Sequence, residues 1–163
     1  MQFDRETLDS ARELVKTPSL SLPTALLVAL AGRVDFAKVR ASLDDVQEQG
    51  PLTDWRAFVL TDRALVYVDL SVPSGEERPD VDGVIRCSAW TRPLVDISSI
   101  SGTDLHPSQD PMSNFRRWRW ATRVTFRDGT EVDVPLFGDV HPHRDADRVE
   151  GFLSCLQERW PAS

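Results

Sequence analysis

The sequence predicts an α+β fold in which six or seven antiparallel strands lie between an N-terminal helical region and a C-terminal amphipathic helix. Three observations lead to this prediction: two helical patterns before residue 33, short β-rich runs from Trp55 onward, and one clearly amphipathic segment at the end. A chain of 163 residues with 40% hydrophobic content can bury a core of its own. We therefore expect folding to need neither a metal nor a disulfide.

The helical region contains two predicted helices. The first covers residues 3–15, where apolar residues recur at a loose 3.6-residue spacing before Pro18. The second runs from Pro23 to Gly32, because proline suits the first helical turn and the segment is almost wholly apolar. Residues 34–49 leave two alternatives open, since their apolar spacing fits a helix throughout and a strand in the second half. We favour the strand there.

The predicted domain boundary separates an N-terminal helical extension, residues 1–33, from a β-rich domain, residues 34–163. The second helix carries more apolar side chains than one short helix needs for docking. They are Leu22, Leu26, Leu27, Val28 and Leu30. We expect any homo-oligomer to form through these N-terminal helices.

Six strands are predicted after residue 54, each rich in β-branched or aromatic residues and bounded by turn residues. In order they are WRAFVL, ALVYVDL, VIRCSAW, PLVDISSI, FRRWRWATRVTF and EVDVPL, and residues 39–46 would add a seventh. Loops rich in Gly, Pro, Ser and Asp are predicted over residues 71–83 and 101–114. The closing helix is predicted from Ala146 to Trp160, because its apolar residues fall within one arc.

The turn between the last two strands follows from the two-residue period of a strand. A two-residue Asp128-Gly129 loop would set charged residues opposite core residues, which face consistency forbids. A three-residue loop ending in a left-handed Gly129 instead pairs Val124 with Val132 and Arg123 with Asp133. This register also brings Glu131 within diagonal reach of Arg123.

The charged face of the RWRW strand is the candidate binding surface. It consists of Arg117, Arg119, Arg123 and Arg127. Arginine grips carboxylates and phosphates through a fork of N–H donors, which suits an acidic partner or an anion. The alternative is a solvated face neutralised by acids such as Asp133 and Glu131. The row spans roughly 33 Å, which is too long for one phosphate pocket. The opposite face, which includes Trp118 and Trp120, is predicted to be core.

The sequence contains few features that indicate nucleic-acid binding, catalysis or metal binding. The net charge of −7 disfavours nucleic acid as a partner. The chain has no nucleophile elbow, P-loop, dinucleotide fingerprint or zincin motif, so we expect no catalysis and no cofactor. His141 and His143 are weak metal-ligand candidates that would imply a small metal-dependent enzyme. The alternative is a polar loop leading into the last helix.

The two cysteines and the apolar runs bear on the compartment. Cys87 and Cys155 stand alone, so we expect two free, buried thiols in a reducing compartment. The charged N-terminus lacks the apolar region of a secretory signal, and the longest apolar run is about half the length of a membrane span. We therefore expect a cytoplasmic protein with no transmembrane segment, and peripheral membrane contact stays an open alternative.

The order of these elements resembles the pleckstrin-homology-like superfamily, particularly its bacterial and GRAM-like members. The resemblance covers residues 36–160 and is carried by AFVLTDRALVYVD, VDISSI and VTFRDGTEVDV, followed by the helix. It implies a partly open antiparallel β-barrel, capped by the C-terminal helix, that binds proteins or lipids without catalysis. Residues 44–54, which match the loop that is basic in phosphoinositide-binding members, contain no Lys or Arg. We therefore expect a noncatalytic adaptor for another protein, with anionic-lipid or small-anion binding as the alternative.

Overall fold

In a computed structural model of the chain, the structure describes residues 3–15, 22–74, 83–107, 118–134 and 142–160. The α-helices in these ranges are α1 (Arg5–Leu14), α2 (Thr24–Ala31) and α3 (Pro142–Arg159). The strands are β1 (Val39–Gln49), β2 (Leu52–Thr61), β3 (Ala64–Pro73), β4 (Arg86–Pro93), β5 (Ile97–Pro107), β6 (Trp118–Phe126) and β7 (Glu131–Val134). The fold is therefore α+β as predicted, and β1 supplies the seventh strand.

The strands form two sheets. The first has the order β1-β2-β3-β4 and the second the order β5-β6-β7. The chain divides into two compact units, residues 1–92 and residues 93–163, so α1 and α2 belong to the same unit as the first sheet. Closure of the strands into a partly open barrel stays a prediction, as does the domain boundary after residue 33.

The core of the first unit joins the two helices to one face of the first sheet. Asp4 caps α1 by accepting a hydrogen bond from the Thr7 N–H at 2.8 Å. The helix α2 is apolar on every side, and a helix of that kind has to be enclosed. The sheet residues in this core are Trp55, Ala57 and Val59 of β2 and Val66, Val68, Leu70 and Val72 of β3.

This packing uses much of the apolar surface that led us to expect self-association. Leu26, Leu27 and Leu30 are buried in the core of the first unit, whereas Val28 is exposed. Self-association through the N-terminal helices therefore stays a prediction, and less exposed apolar surface is left to support it. None of the helices in the described ranges combines the length and apolarity that crossing a bilayer requires.

Strands extend into two segments that were matched to loops, one through the PH-like resemblance and one through its composition. Residues 44–54 form a hairpin in which β1 and β2 meet at a tight turn, where Gly50 has φ +61°. The strand β5 runs to Pro107, so the predicted loop over residues 101–114 is wrong in its first half, and residues 108–117 lie outside the described ranges. Pairing with β6 holds this polar segment extended despite its low strand propensity, with a register shift between Gly102 and Leu105.

The hairpin of β6 and β7 confirms the predicted register. Arg123 pairs with Asp133, Val124 with Val132, and Thr125 with Glu131. Gly129 has φ +83°, and the turn closes with hydrogen bonds from the Phe126 N–H to the Thr130 carbonyl and from the Gly129 N–H to the Phe126 carbonyl. Val124, Phe126, Val132 and Val134 are buried. The predicted burial of Trp118 and Trp120 concerns side chains outside the described part.

The amphipathic pattern of α3 is confirmed over its described side chains. Val149, Phe152 and Leu156 are buried and lie on one stripe of the helix. Trp160 follows the last turn, and its indole Nε1 donates a hydrogen bond to the Ile97 carbonyl at 3.1 Å. The end of the helix is thereby attached to the first residue of β5.

Two glycine substitutions should change stability in opposite directions. We expect Gly129→Ala to lower the free energy of unfolding by about 1–2 kcal/mol, because a side chain at positive φ is strained. Gly151, within α3, has nothing within 4 Å of an added Cβ, so Gly151→Ala should raise it by about 0.5–1 kcal/mol. Urea unfolding of both variants measures the difference. Equal effects of the two substitutions would contradict the assignment of the turn.

Candidate functional site

The four predicted arginines differ in what the structure describes of them. Arg117 lies outside the described residues. Arg119 lies in β6 opposite His106, and its side chain is outside the described part. Arg123 and Arg127 are described in full, one within β6 and one in the turn after it. Whether the four arginines act together stays a prediction.

Arg123 is held in a forked ion pair across the hairpin. Its Nε donates to Asp133 Oδ1 at 2.7 Å and its Nη2 donates to Asp133 Oδ2 at 3.2 Å. Its Nη1 lies 3.2 Å from Glu131 Oε2. These contacts follow from the register, because Asp133 is directly opposite and Glu131 is diagonal. The guanidinium is therefore fixed in direction and balanced by two carboxylates.

The residues of β5 beside Arg123 are small and exposed. Ser101 of β5 is its register partner on the other side, and Ser101, Gly102 and Thr103 are all exposed. Arg127 and Asp128 are exposed at the end of the hairpin. We call Arg123, Arg127, Glu131 and Asp133 together the β6–β7 face. It presents both signs of charge beside small hydroxyl-bearing residues.

The histidine candidates are not brought into a described site. His141 lies outside the described residues, and His143 lies in α3 with its side chain outside the described part. Within the described ranges, no three His, Cys, Asp or Glu side chains are grouped so that they could hold a metal ion. The metal-dependent alternative therefore stays a prediction, because the side chains of His141 and His143 lie outside the described part of the structure.

A row of alternating charges crosses the first sheet, and sequence reasoning did not find it. We call its four members the charge ladder: Asp45 of β1, Arg56 of β2, Asp69 of β3 and Arg86 of β4. Asp45 is the register partner of Arg56, and Arg56 is the register partner of Asp69. Arg56 Nη2 contacts Asp45 Oδ2, and Arg86 Nη2 lies 3.2 Å from Asp69 Oδ2. Acid and base thus alternate on one face across all four strands.

Burial of the charge ladder is greatest at β1 and least at β4. The side chains of Asp45, Arg56, Asp69 and Arg86 are 0%, 25%, 20% and 59% exposed. A carboxylate as buried as Asp45 needs charged and hydrogen-bonding partners. Besides Arg56, Gln47 Nε2 donates to Asp45 Oδ2 at 3.1 Å. In the next row of the sheet, Ser71 Oγ donates to Asp54 Oδ1 at 2.5 Å.

An aromatic row runs beside the charge ladder. The ring centroids of Phe58 and Tyr67 are 4.9 Å apart, and those of Tyr67 and Trp90 are 5.1 Å apart. The guanidinium carbon of Arg92 lies 5.4 Å from the centre of the Trp90 ring, a cation–π contact. Burial and the neighbouring Asp69 carboxylate raise the pKa of Tyr67 to about 12. Tyr67 therefore stays a neutral phenol at alkaline pH values at which a free tyrosine ionises.

The charge ladder could have been predicted from the sequence by counting residues outward from each hairpin turn. Asp45 and Arg56 are equally far from the Gly50-Pro51 turn, and Arg56 and Asp69 are equally far from the Asp62-Arg63 turn. The signal was missed because residues 44–54 were matched to a loop.

The expected burial of Cys87 is wrong, since this free thiol is exposed on β4, whereas Cys155 is partly buried.

Removing Arg56 should destabilise the fold strongly. We expect Arg56→Met to lower the free energy of unfolding by about 3–5 kcal/mol, because it leaves the Asp45 carboxylate buried without its guanidinium. The matched control is Arg40→Met, which breaks the exposed forked pair with Asp62 and should cost about 0–1 kcal/mol. Guanidinium chloride unfolding compares them. Equal losses would show that burial of the ladder contributes nothing.

The single tyrosine of the chain allows a direct titration of its pKa. We expect phenolate absorbance after a rapid pH jump to appear with a midpoint near pH 12 in the folded protein. Because the folded pKa lies above the usual value of 10, this group's contribution to stability is complete below pH 10 and is lost as the pH rises towards 12. Asp69→Asn should lower the midpoint. A wild-type midpoint near 10 would refute the burial of the hydroxyl.

Comparison with known proteins finds no relative of this chain. No model of a protein family, no curated protein and no solved structure matches the chain.

Proposed function

We propose that the chain is a noncatalytic binding module of the PH-like kind, an adaptor that recognises another protein through the β6–β7 face. The observation that carries the proposal is the contact set of Arg123, whose forked pair with Asp133 and contact with Glu131 hold opposite charges in fixed positions on an accessible surface. Fixed charges of both signs select a complementary partner by position as well as by net charge.

A protein partner fits this face better than an anion does. A phosphate or an anionic membrane needs an excess of positive charge, whereas Arg123 is balanced by two carboxylates. A protein surface can place an acid near Arg127 and a base near Asp133 in the same interface. The small exposed residues of β5 leave room for such a partner to approach.

The element order supports the PH-like part of the proposal. A four-stranded sheet is followed by a three-stranded sheet and then by one amphipathic helix. Free thiols at Cys87 and Cys155 favour a reducing compartment, and on that basis we place the module in the cytoplasm.

A charge swap tests the β6–β7 face while keeping the ion pair between positions 123 and 133. Arg123→Asp combined with Asp133→Arg should keep the free energy of unfolding within about 1 kcal/mol, because the pair persists with its direction reversed. We expect proteins captured by the wild type in quantitative pull-downs to be lost, and a purified captured protein to bind at least about tenfold more weakly. The control swap is Arg40→Asp with Asp62→Arg, on an exposed forked pair of the first sheet.

The outcomes separate the candidate functions. Loss of a partner in the β6–β7 swap but not in the control swap supports the proposal. Unchanged affinity for every captured protein in both swaps contradicts it. If the wild type instead captures no protein but sediments with anionic vesicles in a salt-dependent manner, the lipid alternative replaces it.

A further inference from the structure

Among the strands that the structure describes, β4 is the outermost one of the first sheet on one side. Arg86, Cys87, Ser88, Thr91 and Pro93 along it are exposed. Because strand side chains alternate, one face of β4 carries a basic and aromatic row, which we call the β4 stripe. Its members are Arg86, Ser88, Trp90 and Arg92.

The two arginines of the β4 stripe are held by their neighbours in the sheet. Arg86, the exposed end of the charge ladder, lies against Asp69. Arg92 stacks on Trp90, and Trp90 packs against Tyr67 of β3. A guanidinium stacked on a ring binds a carboxylate through its edge and not through its stacked face. Less side-chain freedom is therefore lost when a partner binds, which favours affinity.

The spacing of the two arginines favours an extended ligand. They are six residues apart on one strand, about 20 Å at the usual rise per residue. No single small anion reaches both. An extended chain lying along β4 has the same rise, so two acidic side chains six positions apart on one face would meet both arginines.

We propose that β4 is a docking edge at which an extended acidic segment of a partner protein adds as a further strand of the first sheet. Main-chain hydrogen bonds to the outer edge of β4 supply the affinity, and carboxylates opposite Arg86 and Arg92 supply the specificity. This edge shares no residue with the β6–β7 face, and the proposal stands independently of the function assigned to that face.

A second copy of the chain is a poor occupant of this edge. In the antiparallel register that pairs residues 86–92 of two copies, Arg86 of one copy would lie opposite Arg92 of the other. Like charges in directly opposed positions destabilise a sheet. The same charges that oppose self-pairing therefore select an acidic strand, a common use of charge at sheet edges.

Two peptides that have the same composition but differ in the spacing of their two Glu residues test the proposal. The probe is a fluorescein-labelled peptide rich in Thr and Val with two Glu residues six positions apart. Its control has the same residues with the two Glu one position closer, which places them on opposite faces of a strand. We expect the first peptide to bind at least about tenfold more tightly in fluorescence anisotropy. Equal binding of the two peptides, or binding of neither, overturns the proposal.

Variants locate the binding on β4. We expect Arg86→Gln and Arg92→Gln each to weaken binding of the first peptide several-fold, whereas Arg40→Gln, the same charge change on β1, should leave it unchanged. Circular dichroism confirms that each variant is folded. A bound strand should also slow alkylation of the exposed Cys87, measured in a Cys155→Ser background. Equal weakening by all three arginine variants overturns the location.

Backbone methylation and vesicle binding distinguish strand addition from attachment to a membrane. Peptides N-methylated at alternate positions should lose binding in one of the two patterns, because strand addition uses every second backbone N–H. Anionic vesicles that bind in place of the peptide, with loss in Arg86→Gln and Arg92→Gln, would overturn strand addition in favour of a membrane surface. The charge swap at Arg123 and Asp133 should leave peptide binding unchanged, which keeps failure here distinct from failure of the β6–β7 face.

Discussion

The first sheet depends on the ion pair between the buried Asp45 carboxylate and the Arg56 guanidinium. A carboxylate taken out of water is stable only where partners replace its hydration, and register places Arg56 directly opposite it. A slip of one residue between β1 and β2 would turn Arg56 towards the helix-covered face and leave Asp45 opposite an apolar residue. The pair therefore specifies the register of the hairpin, and β3 and β4 align on that register.

Arginines in both sheets are positioned by acids on neighbouring strands. Asp69 holds Arg86 in the first sheet, and Asp133 holds Arg123 in the second. Such pairing fixes the direction of a guanidinium while cancelling much of its net charge. In a chain of net charge −7, surfaces of this kind favour recognition of a matched pattern of charges over general attraction to anions.

The sequence predictions were accurate where the deciding interactions join residues that are close together in the chain. The β6–β7 hairpin was predicted to the residue, because the alternation of charged and apolar side chains admits one register around Gly129. The stripe of α3 was equally readable from its helical period. The burial of Asp44 and Asp45 was missed, because acids are depleted in strands and only the pairing of β1 with β2 brings Arg56 to the Asp45 carboxylate.

The sequence by itself determined the α+β class, the order of the elements and the faces of the amphipathic segments, since these depend on periodicity and turn chemistry along the chain. The tertiary structure decided which side chains meet across strands. It set Arg56 between Asp45 and Asp69, stacked Arg92 on Trp90, and left Cys87 exposed. Such contacts join residues that are far apart along the chain, and their energies depend on burial, which only the assembled sheet defines.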